Sequence, residues 1–318
     1  MNRPETTPNP TTSAVPAGNI REIEMTAYAD DGLGLAGTLT LPAGPGPHPA
    51  ALFLPGSGRL DRESNAGRLR MNLGRPLAQA LAAQGIASLR YDRRGVGATR
   101  GDWHTVGFVD NRADAAAALR ALRERPEVLA RATGVIGHSE GAVHAAWLGA
   151  HVQPAAVVMI AGYARPGRQA LYWQAAKLAA TLPRPIRALL PILRRLAARQ
   201  LAKVEATTTD AARIGGSRIN ARWWREQLNH DPRADLAKVR VPLLAVTGDK
   251  DVQVDPDDLD VIQRLVPDAD TLRIPDLTHL LRRDPGRASV FSYPRQFRQP
   301  VDAGLLAGIA TWLRDAMR

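Results

Sequence analysis

From residue 21 onward the chain carries short apolar periods separated by turn residues. Arg21–Tyr28 alternates in part and Leu33–Leu41 (LGLAGTLTL) alternates more clearly, with Asp30-Asp31-Gly32 between them, which predicts an antiparallel hairpin. Ala50–Leu54 is a continuous apolar run ending in Pro55-Gly56-Ser57-Gly58, the pattern of a strand buried on both faces. A helix is expected over Arg75–Gln84, closed by Gly85, then a strand at Ile86–Tyr91 and a helix at Asn111–Arg125 stopped by Pro126. Thr133–Ile136 predicts a strand, Gly137–Gly141 a turn, Ala142–Ala150 a helix and Ala155–Ile160 another buried strand. Pro242–Thr247 and Asp270–Ile274 predict further strands, with helices at Pro256–Leu265 and Asp302–Met317.

Strands alternating with helices predict an α/β fold: a mostly parallel, doubly wound sheet with helices on both faces and an N-terminal antiparallel hairpin. One block breaks the alternation. Gln169–Leu182, Arg187–Ala206, Thr209–Ile214 and Arg218–Leu228 read as successive helices with no strand. The expected organisation is a leader at 1–19, rich in Pro, Thr and Asn and expected to be disordered; a core of 20–163 and 240–318; and a helical insertion at 164–239.

Composition narrows the chemistry. With 318 residues, 45% hydrophobic and 23% charged, the chain has the makings of a globular core without staples. A Cys count of 0 excludes disulfides, thiolate metal sites and a Cys nucleophile. The net charge of +11 raises nucleic acid as a partner, but the arginines are scattered and no nucleic-acid-binding signature accompanies them, so none is expected. No apolar run of signal-peptide length opens the chain and none of about 20 residues occurs within it, so no integral membrane segment is expected and the cytoplasm is the default location.

The chemical signal is Gly137-His138-Ser139-Glu140-Gly141, a G-x-S-x-G between a strand and a helix. A strand turning sharply into a helix lifts the middle hydroxyl above the sheet edge, where the helix N-terminus favours negative charge. A Ser nucleophile needs a base. Of seven histidines, His279 follows the strand Asp270–Ile274 in a loop near the end of the chain and is the expected base. His138 is expected to point away from the elbow, His144 and His151 to lie on the following helix as surface or packing residues, and His48 and His104 are loop competitors. The base needs an orienting acid. After the strand PLLAVT the chain offers Asp249, Asp251 and Asp255; Asp251 is chosen as the residue able to turn back over the sheet edge, with Asp249 bracing the turn. The backbone N–H groups of Glu140 and Ser57 are the expected oxyanion donors.

Together these pieces resemble the α/β-hydrolase superfamily, and within it the serine-aminopeptidase/esterase-like group. The order Ser139, Asp251, His279 is that of α/β-hydrolases. Gly56-Ser57-Gly58 with Asp61-Arg62, Tyr91-Asp92-Arg93-Arg94-Gly95-Val96-Gly97, the GHSEG turn, Gly248–Val254 and His279 carry the likeness over residues 21–318, weakly across the insertion. The resemblance implies an α/β-hydrolase fold in which the insertion is a lid over the nucleophile. It implies a carboxylic-ester hydrolase using Ser139, His279 and Asp251, with no cofactor or metal, acting on a small-molecule ester. Trp223 and Trp224 are expected to line the substrate pocket. An aminopeptidase or thioesterase on the same triad, or a non-catalytic ligand-binding protein, are the alternatives. An aminopeptidase would need an acidic residue for the free amine, for which Glu205, Asp210, Glu226 and Asp231 are candidates.

Overall fold

A computed structural model describes residues 20–318; the expected disordered leader at 1–19 lies outside the described residues. Eight strands form one sheet: β1 (Arg21–Tyr28), β2 (Gly34–Leu41), β3 (His48–Leu54), β4 (Ala87–Tyr91), β5 (Val128–His138), β6 (Val157–Ile160), β7 (Leu243–Gly248) and β8 (Asp270–Ile274). Their order across the sheet is β1-β2-β4-β3-β5-β6-β7-β8. β2 runs antiparallel to both β1 and β4, and every other pairing is parallel.

The parallel strands are buried on both faces, and the pleat divides their side chains. Ala50, Leu52 and Leu54 of β3 enter one apolar cluster with Ala118 and Leu119 of helix α2 (Phe108–Arg123) and Ala145 and Leu148 of α3 (Glu140–His151). Ala51 and Phe53 enter another with Leu77 and Leu81 of α1 (Gly74–Ala82) and Ile309 and Leu313 of the last helix (Ala303–Ala316). Alternate residues therefore meet helices on opposite sides, which is why these strands read as unbroken apolar runs.

The block between β6 and β7 departs from the expectation of helices alone. It holds α4 (Gly167–Thr181), α5 (Arg184–Ala188), α6 (Leu190–Glu205), α7 (Ala221–Asn229) and α8 (Arg233–Leu236). Between α6 and α7, however, Ala211–Ile214 and Ser217–Asn220 pair as an antiparallel ribbon, where Thr209–Ile214 was expected to be helical. Gly215 and Gly216 both have positive φ, +61° and +82°, the requirement of a two-residue hairpin turn. Asn220 then caps α7, its side chain accepting from Trp223 N at 2.9 Å. No helix among the described residues is long and apolar enough to cross a membrane.

Candidate functional site

The carboxyl ends of β3 and β5 lie side by side, Leu54 in register with Gly137. The chain passes from β3 to β4 on one side and from β4 to β5 on the other, so the crevice between β3 and β5 is a topological switch point, where ligands bind in open α/β sheets. Both glycine-flanked motifs open there. At Gly137 a Cβ would stand 2.0 Å from the Gly141 carbonyl oxygen, and at Gly141 one would stand 2.2 Å from the Leu54 carbonyl oxygen. The spacing of G-x-S-x-G thus records how tightly strand, turn and helix are folded together. Between the glycines Ser139 is held at φ 56°, ψ −118°, a sparsely populated backbone conformation for a side-chain-bearing residue. Its N–H donates to Ile160 O at 2.9 Å, and it is the N-cap of α3.

The acid and base candidates meet at the same edge of the sheet. His279 Nδ1 lies 2.8 Å from Asp251 Oδ2, and both residues are buried. An ionised carboxylate only accepts, so Nδ1 carries the proton of this bond and Nε2 is left as the basic nitrogen. Asp251 is fixed in turn, because its Oδ1 accepts from the N–H groups of Gln253 at 2.7 Å and Val254 at 2.9 Å. Asp249 is exposed, and its N–H braces the turn by donating to Ile274 O at 3.1 Å. Asp255 is committed to Arg165 at 2.7 Å.

His138 does not point away from the site, contrary to expectation. It is buried against His279, ring centroids 4.9 Å apart, and its Nε2 lies 3.0 Å from the His279 carbonyl oxygen. A carbonyl only accepts, so Nε2 donates and Nδ1 is unprotonated. Burial, followed by the neighbouring His279, pushes the His138 pKa down to about 3, so it is a neutral brace. The residue before Ser139 thereby holds the loop of His279.

Glu140 carries a second arrangement that sequence reasoning missed. Its carboxylate is buried and forms an ion pair with Arg93 at 3.1 Å. It also meets His144 Nε2 at 3.1 Å and accepts from Trp223 Nε1 at 3.1 Å. Burial opposes its ionisation, but Arg93 and the bonds from His144 and Trp223 outweigh it and hold Glu140 below the usual carboxylate range. Arg93 also donates to Pro55 O at 2.7 Å, at the start of the Gly56-Ser57-Gly58 loop. His144 is therefore buried in this network and not on the surface, while His151 bonds Asp235 at 3.0 Å. The signal available in the sequence was the Tyr91–Gly97 segment itself, whose Asp92 accepts from Arg62 at 2.8 and 2.9 Å while Arg93 turns inward.

A cavity of about 340 Å³ opens beside Ser139, walled by Ser57, Glu140, Tyr163, Trp223 and Trp224 among others. Glu140 is the one charged residue among those lining it. Trp173, in the same block, does not line this cavity; Arg165 and Lys177 lie over its ring. The acidic residues considered for amine binding are engaged elsewhere: Glu205 with Arg168, Glu226 with Arg222 and Asp231 with Arg233, while Asp210 is absent from the cavity wall. The Arg/Pro-rich segment after His279 packs back onto the site. Arg282, buried, donates to the carbonyls of Leu280 and Met71 at 2.5 and 2.6 Å, and Tyr293 Oη accepts from Gln253 at 3.1 Å.

The family model described as serine aminopeptidase, S33, matches residues 71–286, more than half of the chain. Esterase EstD of Thermotoga maritima is 27% identical over 290 residues, 88% of this chain; the chain spans 65% of that relative's length. Among solved structures, an esterase of Pyrococcus furiosus superposes with a TM-score of 0.60 at 17% identity, covering 100% of this chain and 98% of its own. Est1E of Butyrivibrio proteoclasticus superposes with a TM-score of 0.59 at 14% identity, covering 91% of this chain and 98% of its own. At these identities the two structures share the fold.

Proposed function

The chain belongs to the serine aminopeptidase S33 family of α/β-hydrolases, and from that premise we propose that it is a serine hydrolase cleaving a neutral carboxylic ester through an acyl-enzyme. The observation that carries this reading is the buried His279–Asp251 pair, 2.8 Å apart, at the sheet edge where Ser139 sits strained on its turn. Ser139 Oγ attacks the acyl carbon and its proton passes to His279 Nε2. Asp251 holds the imidazole tautomer and stabilises the imidazolium. The N–H groups of Ser57 and Glu140 receive the oxyanion, aided by the N-terminus of α3. Collapse expels the alcohol, which takes the proton from His279. Water then adds to the acyl-enzyme with His279 again as base, releasing the carboxylic acid and restoring Ser139.

The choice of an ester over a peptide amine terminus rests on charge. A free ammonium group in a cavity of this kind would need an uncommitted carboxylate, and Glu140 already faces Arg93, His144 and Trp223. Residues 164–239 act in this reading as a lid, with Trp223 and Trp224 forming the wall that the acyl group meets. A fluorophosphonate probe tests the assignment. It should label wild-type protein at Ser139 and leave Ser139→Ala unlabelled, and Ser139→Ala should hydrolyse acetyl esters roughly 10³-fold or more slowly. Labelling at another residue, or retained hydrolysis in Ser139→Ala, overturns the reading.

A further inference from the structure

A second cavity, about 1060 Å³, lies wholly within the 164–239 block and shares two walls, Leu171 and Trp224, with the cavity beside Ser139. Resting on the ester-hydrolase reading above, we propose that this second cavity receives the distal part of a long unbranched hydrocarbon chain whose ester carbonyl lies at Ser139.

The lining decides the chemistry of the occupant. Arg194 is the one charged residue on the wall, and no carboxylate accompanies it. A sugar, nucleotide or peptide would lose hydrogen bonds to water on entering and find few replacements. A hydrocarbon loses nothing of the kind and covers apolar surface.

The helices on either side show why the space is there. Leu190, Leu193, Ala197, Leu201 and Val204 recur on α6 at intervals of three and four, one face of a helix, and all line this cavity. In an ordinary helix pair that face would be covered, yet of the five only Val204 is buried. Leu193 is 44% exposed. Opposite them α4 presents Ala175, Ala176 and Ala179, small side chains that leave a slot between the helices. An apolar stripe kept open against a row of alanines, bordered like the reaction cavity by Leu171 and Trp224, suits a chain that starts at Ser139, passes these two side chains and runs on between the helices.

Two measurements test this. The first is kcat/KM for acetyl, butanoyl, octanoyl, dodecanoyl and hexadecanoyl nitrophenyl esters. Each methylene that passes Trp224 into the second cavity should raise kcat/KM by up to about fourfold, from roughly 0.8 kcal/mol per buried CH2. Ala197→Trp, which fills the slot, should lower the ratio of dodecanoyl to acetyl kcat/KM by about tenfold or more. The second is calorimetric titration with dodecanoate, with acetate as control: wild type should bind dodecanoate and Ala197→Trp should not. Should Ala197→Trp fail to fold, Ala176→Phe narrows the same slot from α4. A flat chain-length profile with intact acetyl-ester hydrolysis overturns the proposal while sparing the hydrolase reading. Dodecanoate binding that Ala197→Trp abolishes, in a protein that cleaves no ester, supports the cavity and sinks the hydrolase reading. A filled variant that melts higher yet keeps the wild-type chain-length ratio shows a mere void and overturns the proposal.

Discussion

The Trp223 indole donates to the Glu140 carboxylate across 3.1 Å, joining the helical block to the residue that follows Ser139. Because Arg93 pairs with the same carboxylate and also holds Pro55 O, one buried charge ties together the elbow, the loop after β3 and α7. Removing that charge should be costly in a way that removing the indole bond is not. Glu140→Gln keeps an acceptor for Trp223 but leaves the Arg93 guanidinium buried without its counter-ion, so it should lose about 3–5 kcal/mol of stability. Trp223→Phe keeps the ion pair and should lose about 1–3 kcal/mol. Denaturant unfolding of both variants checks the ranking; Trp223→Phe the less stable of the two would refute it.

Asp249, Asp251 and Asp255 lie in the loop after β7, and of these only Asp251 touches an imidazole of the site. Asp251→Asn should lower kcat by a few orders of magnitude, on the order of 10³–10⁴, because the amide favours the wrong His279 tautomer. Asp249→Asn, at an exposed carboxylate, should leave kcat within a few-fold. Asp255→Asn loosens Arg165 and should show mainly in the melting temperature. A dead Asp249→Asn enzyme beside an active Asp251→Asn one would reverse the assignment.

Local pattern was enough for the parts of this molecule whose cause is local. Strands β3, β6 and β7 announce themselves because burial on both faces demands unbroken apolar runs, and Ser139, Asp251 and His279 each stand in a loop directly after a strand. The ribbon at 211–220 reads as helix in the sequence because four-residue strands carry too few periods to separate from one; the Gly215-Gly216 turn is the stronger cue. Strand β5 begins at Val128, five residues before the apolar run that marks it, because Arg131 lies on an exposed stretch. The contacts of Glu140 with Trp223 and of His138 with His279 span 83 and 141 residues. No period in the sequence reports such pairings; the first depends on how α7 packs against the start of α3, and the second on how the loop after β8 lies against the end of β5.

Charge in the Ser139 cavity should decide among acyl donors. Among short acyl donors, a neutral acetyl or butanoyl ester should be turned over with the highest kcat/KM. The matching thioester presents the same neutral acyl group and should follow. An L-alanyl anilide, bearing a free ammonium group, should be slower by at least about 10²-fold, since no uncommitted carboxylate lines the cavity. Side-by-side rates on the three substrates at one pH check this; an alanyl anilide hydrolysed as fast as the ester would restore the aminopeptidase reading.

His138 should make the protein acid-sensitive in a defined window. Burial, with His279 and Arg282 nearby, pushes its pKa from the ordinary 6.5 down to about 3. Between those two values the unfolded chain takes up a proton on this ring and the folded protein does not, so stability falls as pH falls. Above pH 6.5 the ring is neutral in both states and costs nothing. From pH 7 to pH 5 the loss traceable to His138 is roughly 2 kcal/mol, at about 1.4 kcal/mol per pH unit below 6.5. Glu140, also depressed, contributes stability above the ordinary carboxylate range and loses it only as pH falls through its lower folded value, so it stays largely outside this window. His144 and His230 are lowered by burial too and act in the same direction, so the wild-type slope alone does not isolate His138. His138→Gln does, because its amide reaches toward the position of Nε2 and can donate to the His279 carbonyl but does not titrate. Unfolding free energies at pH 7 and pH 5 should differ by roughly 2 kcal/mol less in His138→Gln than in wild type. Equal pH slopes in the two proteins would mean that His138 takes up its proton as readily in the folded protein as in the unfolded chain, and the assignment of a neutral ring at this position would fall.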